Sequence, residues 1–266
     1  MQHTKVFRKI YKYTHYNPLM RYKIKFTFKD ELKLPIHYNH LIQGLIYSHI
    51  SNVDERNRIH DYGFMVGAKK IKLMTFSKIF GLYNIDKNYI IFKPPVELIF
   101  ASYYDEISSE IAYNLLADEN IFLNSTKINV IDIKSHSFDD EKYKNIKYYM
   151  IEMISPLTVY ITQNNHRKTF FSPWSPEFEN AISNNISTKF SAISNNRNFL
   201  FNIRPNNIKN NKDEKVIYFK DTLIKGYNGI FTLKTDSEVM KMLYYTGIGS
   251  KNSEGFGCFN ILGDKI

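Results

Sequence analysis

Along residues 22–28 apolar and polar side chains alternate, Tyr22, Ile24, Phe26 and Phe28 against Lys23, Lys25 and Thr27. That period of two belongs to a strand with one face in the core and one in water. After Pro35 the period changes, and Leu41, Ile42, Leu45, Ile46 and Ile50 fall on one helical stripe. Residues 71–76 and 89–92 read as strands, Ile107, Ile111 and Leu115 recur at every fourth position as a second helix, and residues 121–133 form a further strand region. The order β-α-β-β-α-β is the ferredoxin-like pattern, two helices on one face of an antiparallel sheet.

The second half repeats this outline. Residues 146–153 and 158–162 are predicted strands, and Ser175-Pro176 offers an N-cap with proline at the first helical position for a helix carrying Phe178, Ala181, Ile182 and Ile186. Residues 205–213 are polar and predict a long loop, and 216–219 with 230–233 predict a hairpin around Gly226 and Gly229. Thr235-Asp236-Ser237-Glu238 reads as a capping box for a last helix through Val239, Met242 and Leu243. The fold class is therefore α+β, two tandem ferredoxin-like halves. An N-terminal extension occupies residues 1–19, a first domain 20–138, and a second domain 139–266.

Between the last helix and a final strand near residues 256–262 lie Gly247, Gly249, Gly255 and Gly257, four of the chain's eleven glycines. Phosphate-binding loops of nucleotide enzymes need strand, loop, helix, so that a helix N-terminus faces the phosphates. Here the order is helix, glycines, strand. The segment predicts close backbone packing, with Lys251 and Asn252 beside it.

Composition narrows the partner. A formal net charge of +10 and a pI near 9.3 favour an anionic partner, nucleic acid before an acidic membrane. Only seven of the 36 basic residues are arginine, and abundant Asn, Ile, Tyr and Phe are what an A/T-rich coding bias gives without selection for RNA. The single cysteine, Cys258, excludes an intrachain disulfide and a cysteine-based zinc site, which fits a reducing, cytoplasmic setting. No apolar run reaches the roughly 20 residues of a membrane span. Asp30-Glu31, Asp54-Glu55, Asp105-Glu106 and Asp139-Asp140-Glu141 are adjacent acidic residues, which point apart on a regular element, so no metal is expected. For Trp174 the choice lies between base stacking and packing.

Several stretches together resemble the CRISPR-associated endoribonucleases of the RAMP superfamily, whose fold is a pair of RRM-like ferredoxin units. They are the glycine segment 247–257, Leu34-Pro35-Ile36-His37-Tyr38-Asn39-His40 into Gln43-Gly44-Leu45-Ile46-Tyr47, then His60-Asp61-Tyr62-Gly63-Phe64, Lys72-Leu73-Met74-Thr75-Phe76-Ser77, and Ser155-Pro156. The resemblance spans about residues 20–263. It implies cleavage of precursor crRNA within its repeats, the RNA's own 2′-hydroxyl attacking the neighbouring phosphate to leave a 2′,3′-cyclic phosphate and a 5′-hydroxyl, with no metal and no cofactor. Such chemistry needs a proton donor and acceptor and a cation at the phosphorane.

The resemblance assigns His60, or alternatively His40 at the Tyr-Asn-His position, as the catalytic histidine, with His37 a third candidate. Tyr47 matches the active-site tyrosine, and its place seven residues after His40 puts the two on nearly the same helical face. Lys72 matches the lysine that holds the scissile phosphate, and Lys69 and Lys70 add to RNA attraction, as do Lys251, Asn252 and the glycines 247, 249, 255 and 257. The implied partner is CRISPR repeat RNA, in a protein acting as monomer or homodimer, with a CRISPR effector complex as a further partner. The alternatives are a non-catalytic crRNA-binding subunit of the same superfamily, and a generic nucleic-acid-binding protein.

Overall fold

The computed structural model describes residues 18–61, 63–67, 69–164, 167–196, 198–206, 208, 210–220 and 222–263; for His60 it describes the backbone and not the side chain. The expected extension at residues 1–19 lies outside the described residues except for Pro18 and Leu19.

The first half contains strands β1 (Arg21–Thr27) and β2 (Leu32–Pro35), helices α1 (Asn39–Ser48) and α2 (Val53–Asp61), and the hairpin β3 (Phe64–Val66) with β4 (Lys69–Ile71). There follow β5 (Met74–Phe76), β6 (Tyr83–Asp86), β7 (Tyr89–Phe92), β8 (Val96–Ser102), α3 (Asp105–Ala117), β9 (Ile121–Leu123) and β10 (Thr126–His136). The main sheet runs β5-β8-β1-β10-β9, with antiparallel pairing throughout. Its ferredoxin-like members are β1, α1, β5, β8, α3 and β10.

Two expectations need correction. Residues 89–92 do form a strand, β7, but it pairs with β2 and β6 in a separate small sheet. The third strand of the main sheet is β8, which alternation does not reveal because it is buried on both faces. Phe100 packs in the core beneath the helices, while Ile99 packs on the other side with Ile154 and Cys258 of the second half. The expected strand at 71–76 is broken into β4 and β5, leaving Lys72 and Leu73 in the connection between them. Helix α2 was not foreseen, for its sequence is polar almost throughout.

The second half adds α4 (Asp140–Tyr143), β11 (Tyr148–Met153), β12 (Tyr160–Thr162), β13 (Lys168–Phe170), α5 (Glu177–Ile193), β14 (Phe201–Asn206) and α6 (Asn210–Asp213). It ends with β15 (Glu214–Phe219), β16 (Thr222–Tyr227), β17 (Ile230–Thr235), α7 (Ser237–Thr246), a 3₁₀ turn at Asn252–Glu254 and β18 (Phe259–Ile261). The sheet order β14-β17-β11-β18 matches β5-β8-β1-β10 element for element. The expected hairpin of 216–219 with 230–233 is replaced by β15 with β16, and β17 sits inside the sheet between β14 and β11. Pro205 and Asn206, expected in a loop, close β14.

Neither predicted cap forms. The Ser175 hydroxyl donates to the Ser172 carbonyl, and Pro176 precedes α5 without a side-chain cap. The Asp236 carboxylate and Thr235 hydroxyl instead tie the start of α7 to the N–H and carbonyl of Leu200.

The halves are joined through Arg21, which is fully buried. Its guanidinium donates to the carbonyls of Tyr244 and Phe259, at 2.7 Å for the latter, and lies 3.7 Å from the Tyr244 ring centroid. Tyr244 is in the last turn of α7, where carbonyls lack helical partners and the helix dipole is negative, so the charge is compensated without a carboxylate. The first strand of one half thereby holds the last helix and strand of the other. Among the described residues no helix is long and apolar enough to cross a membrane.

Candidate active site

Helix α1 presents Asn39, Gln43 and Tyr47 along one line, spaced four residues apart. The first two grip the glycine segment: Asn39 Nδ2 donates to the carbonyls of Glu254 (2.9 Å) and Gly255 (3.3 Å), and Gln43 Nε2 to that of Ser253 (2.6 Å). The close backbone packing expected of the glycine segment is thus made against α1, through the 3₁₀ turn. Tyr47, the third residue of the line, is buried beside Lys72, whose Nζ lies 5.7 Å from its ring centroid.

Lys72 is placed by the end of α2. Gly63 closes that helix in the left-handed region (φ 58°), its N–H on the Arg58 carbonyl, and a Cβ there would stand 2.2 Å from the Ile71 carbonyl oxygen. Only glycine lets β4 pass so close to the helix end. Asp61, in the last turn, and Glu254, from the 3₁₀ turn, act on both Tyr47 and Lys72. Burial raises the Tyr47 phenol above its usual 10.0, and the two carboxylates raise it further. Burial lowers Lys72 below 10.5; Glu254 and Asp61 oppose that, while Lys220 and Lys251 reinforce it.

Glu254 also pairs with Lys251 at 2.7 Å. Lys251 and Lys168 approach the Tyr160 ring at 6.0 and 5.4 Å. The site thus gathers Tyr47, Asp61 and Lys72 from the first half with Tyr160, Lys168, Lys220, Lys251 and Glu254 from the second. Sequence reasoning missed Asp61, Tyr160, Lys168, Lys220 and Glu254. Asp61 and Glu254 sit inside quoted motifs, whereas Lys168 and Lys220 lie in β13 and at the β15–β16 turn, where nothing in the spacing marks them.

The histidines separate. His60 lies in the last turn of α2 next to Asp61, and its side chain is outside the described residues. His40 is half-buried, its Nδ1 3.0 Å from the His37 carbonyl, and it lines a shallow cavity with Gly44, Ser48, His49 and Asp118. His40 and Tyr47, expected on nearly the same helical face, lie two turns apart on α1. Seven residues return to the same angle but advance roughly 10 Å along the helix axis. His37 packs edge-on against Tyr218 at 5.2 Å between centroids, and burial lowers its pKa from 6.5.

Of the expected RNA contacts, Lys69 and Lys70 are exposed on β4. Gly247, Gly249, Gly255, Gly257 and Asn252 are buried. The N–H groups of Gly247, Gly255 and Gly257 go to the carbonyls of Leu243, Asn252 and Pro156, so they are not offered to phosphate. A Cβ on Gly257 would lie 2.0 Å from the Ile248 carbonyl oxygen. Asn252 spends its amide on the carbonyls of Ile248 and Phe256. Ser155, from the Ser-Pro motif, accepts the Cys258 N–H at the same closure. Trp174 is 42% exposed and edge-on to Tyr227. Among the described residues no three His, Cys, Asp or Glu side chains converge as a metal-holding group.

Two antiparallel sheets of ferredoxin order, joined through Arg21 and closed by a glycine segment, make this an α+β protein of two ferredoxin-like units. The fold superposes on a Cas6-related protein of Pyrococcus furiosus with a TM-score of 0.75 at 18% identity, covering 93% of this chain and 100% of that one. It matches a solved RAMP protein described as binding different RNA substrates at 0.74 and 20%, covering 91% and 99%. Residues 136–261 match the family described as CRISPR associated protein Cas6, C-terminal. The chain is 26% identical over 261 residues to the CRISPR-associated endoribonuclease Cas6 1 of Methanocaldococcus jannaschii, covering 92% of this chain and 94% of that protein. The resemblance to the CRISPR-associated endoribonucleases of the RAMP superfamily therefore holds in sequence and in fold.

Proposed function

We propose that this protein is an endoribonuclease that cuts CRISPR repeat RNA within precursor crRNA, without a metal ion, in the cytoplasm. The observation that carries the reading is the meeting of Tyr47 and Lys72 at the end of α2, where His60 sits, against the Lys251–Glu254 pair. In the reaction the 2′-oxygen bonds to phosphorus while the P–O5′ bond breaks. The His60 imidazolium gives its proton to the departing 5′-oxygen, as a histidine titrating near neutral pH can. Tyr47, held protonated by burial and by Asp61 and Glu254, orients the 2′-hydroxyl, whose proton passes to water. Lys72 carries the charge of the phosphorane.

Lys69, Lys70, Lys168, Lys220 and Lys251 flank this point as the electrostatic track for the RNA, with the glycines and Asn252 as its scaffold. We assign the division between the two units to residues 138–139, with the RNA reaching residues of both. A monomer suffices for this site, and transfer of product to an effector complex remains compatible with it.

The test is cleavage of cognate repeat RNA in EDTA by the parent and by His60→Ala, Lys72→Ala and His40→Ala. The parent should cut, the first two variants should lose about 10²–10⁴-fold in rate, and His40→Ala should stay within a few-fold. A loss confined to His40→Ala moves the acid to His40. Cleavage that appears only with divalent metal contradicts the mechanism, and a parent that binds the repeat without cutting it is a crRNA-holding subunit.

A further inference from the structure

One lysine sits where a charge is least expected. Lys189, on α5, is 3% exposed, yet its ammonium donates to the carbonyls of Gly247 (2.9 Å) and Gly249 (3.0 Å) and to Asn252 Oδ1 (2.5 Å). Three donors meet three acceptors, and none of these partners is a carboxylate. Burial pulls the group down to about 7, so the position is electrostatically expensive and a leucine or methionine would be the cheaper occupant for packing alone.

The three contacts fall on the first limb of the glycine segment and on its turn. Gly247 and Gly249 belong to the limb leaving α7, and Asn252 begins the 3₁₀ turn. Asn252 extends the clasp, its amide donating to Ile248 in the first limb and Phe256 in the second, each at 3.0 Å. Opposite this hub, the turn's own carbonyls at Ser253, Glu254 and Gly255 receive Gln43 and Asn39 of α1. The segment is therefore held from one side by α5 and from the other by the helix that carries Tyr47. On it ride Lys251 and Glu254, whose charges act on Lys72.

We propose that Lys189 is a positioning residue for RNA cleavage: by clasping the first limb of the glycine segment to its turn, and through Asn252 to the second limb, it fixes the Lys251–Glu254 pair and the Tyr47 face of α1 against Lys72. It touches no RNA. The proposal rests on the endoribonuclease reading, and it predicts an effect on the chemical step rather than on binding, because Lys251, Lys168 and Lys220 all remain.

The experiment compares parent, Lys189→Met, Asn252→Ala and the double variant in single-turnover cleavage of repeat RNA at saturating protein. Affinity is measured with the same RNA carrying a 2′-deoxy residue at the cut, and amide hydrogen exchange is followed over residues 247–257. Lys189→Met should lose at least about tenfold in rate while affinity stays within about threefold, and exchange of Gly247, Ile248 and Gly257 should accelerate. Asn252→Ala should do the same, and the double variant no worse than either single, as for two parts of one clasp. A folded Lys189→Met that cuts within twofold of the parent overturns the proposal, as does a rate loss that disappears at saturating protein. If Lys189→Met does not fold, Asn252→Ala decides alone, because it removes one arm of the clasp and leaves the lysine its two carbonyls. If the parent does not cut the repeat, the endoribonuclease reading fails, and unaccelerated exchange in the variants would separately refute the clasp.

Discussion

Tyr47 and Lys72 are the pair the sequence could point to, and their motifs did so, but their chemistry depends on neighbours that motifs do not supply. Asp61 and Glu254 come from opposite halves of the chain, and both raise the Tyr47 phenol beyond what burial does. Tyrosine is therefore a donor here, and Tyr47→Phe should lower the cleavage rate about 10-fold with little change in RNA affinity, read by single-turnover rates against filter binding. Lys72 is shifted the other way. Loss of the proposed His60 proton donor gives the first fall in the parent's rate as pH rises; a lysine whose pKa lies below 10.5 loses its charge at a lower pH, so a second, steeper alkaline limb should begin below 10.5. Lys72→Arg, whose guanidinium stays charged, should shift that limb upward. Coincident limbs in the two proteins would show that Lys72 is not the charge that matters.

At the scale of elements, alternation and helical stripes located β1, α1, α3, β11 and α5, because each has one wetter face, and located α7 although only Ser237, Glu238 and Lys241 of that helix escape burial. They failed at β8, whose two faces are both buried, one under the helices and one against Ile154 and Cys258. They failed again at α2, a polar helix whose stop is set by Gly63 rather than by a stripe. The capping signals at Ser175 and Thr235 were misleading for another reason: a local partner, the Ser172 carbonyl, and a tertiary one, Leu200, hold the side chains instead. The glycine segment was legible as a backbone device, and its order of helix before strand excluded a nucleotide loop. Gly257 is its most demanding position, with φ 73° and the Ile248 carbonyl in the way of any Cβ. Gly257→Ala should cost about 3 kcal/mol in denaturant unfolding, with a lowered midpoint and an unchanged slope. A cost below about 1 kcal/mol would mean the segment adapts easily.

In the whole molecule, the two ferredoxin-like units share Arg21 at their seam. Removing it leaves the Tyr244 and Phe259 carbonyls buried without that donor, so Arg21→Ala should destabilise the protein by about 2–4 kcal/mol by the same unfolding measurement. The net charge of +10 pointed to an anionic partner without saying where it sits. In the proposed reading the place is where the fold brings Lys168 and Lys220 of one half towards Lys72 of the other. Lys168→Ala and Lys220→Ala should each weaken repeat-RNA binding similarly at every sequence and reduce the slope of log affinity against log salt by about 0.7. No periodicity could have revealed that convergence, since it is a product of the duplicated fold.

The most direct test of the account is the chemistry of the cut itself, on cognate repeat RNA in EDTA, with the product ends read by mass spectrometry and one substrate carrying a single 2′-deoxy residue at the cut. The account predicts an upstream fragment ending in a 2′,3′-cyclic phosphate, a downstream fragment beginning with a 5′-hydroxyl, and no cleavage of the deoxy substrate. A 5′-phosphate on the downstream fragment, or continued cleavage of the deoxy substrate, would contradict it.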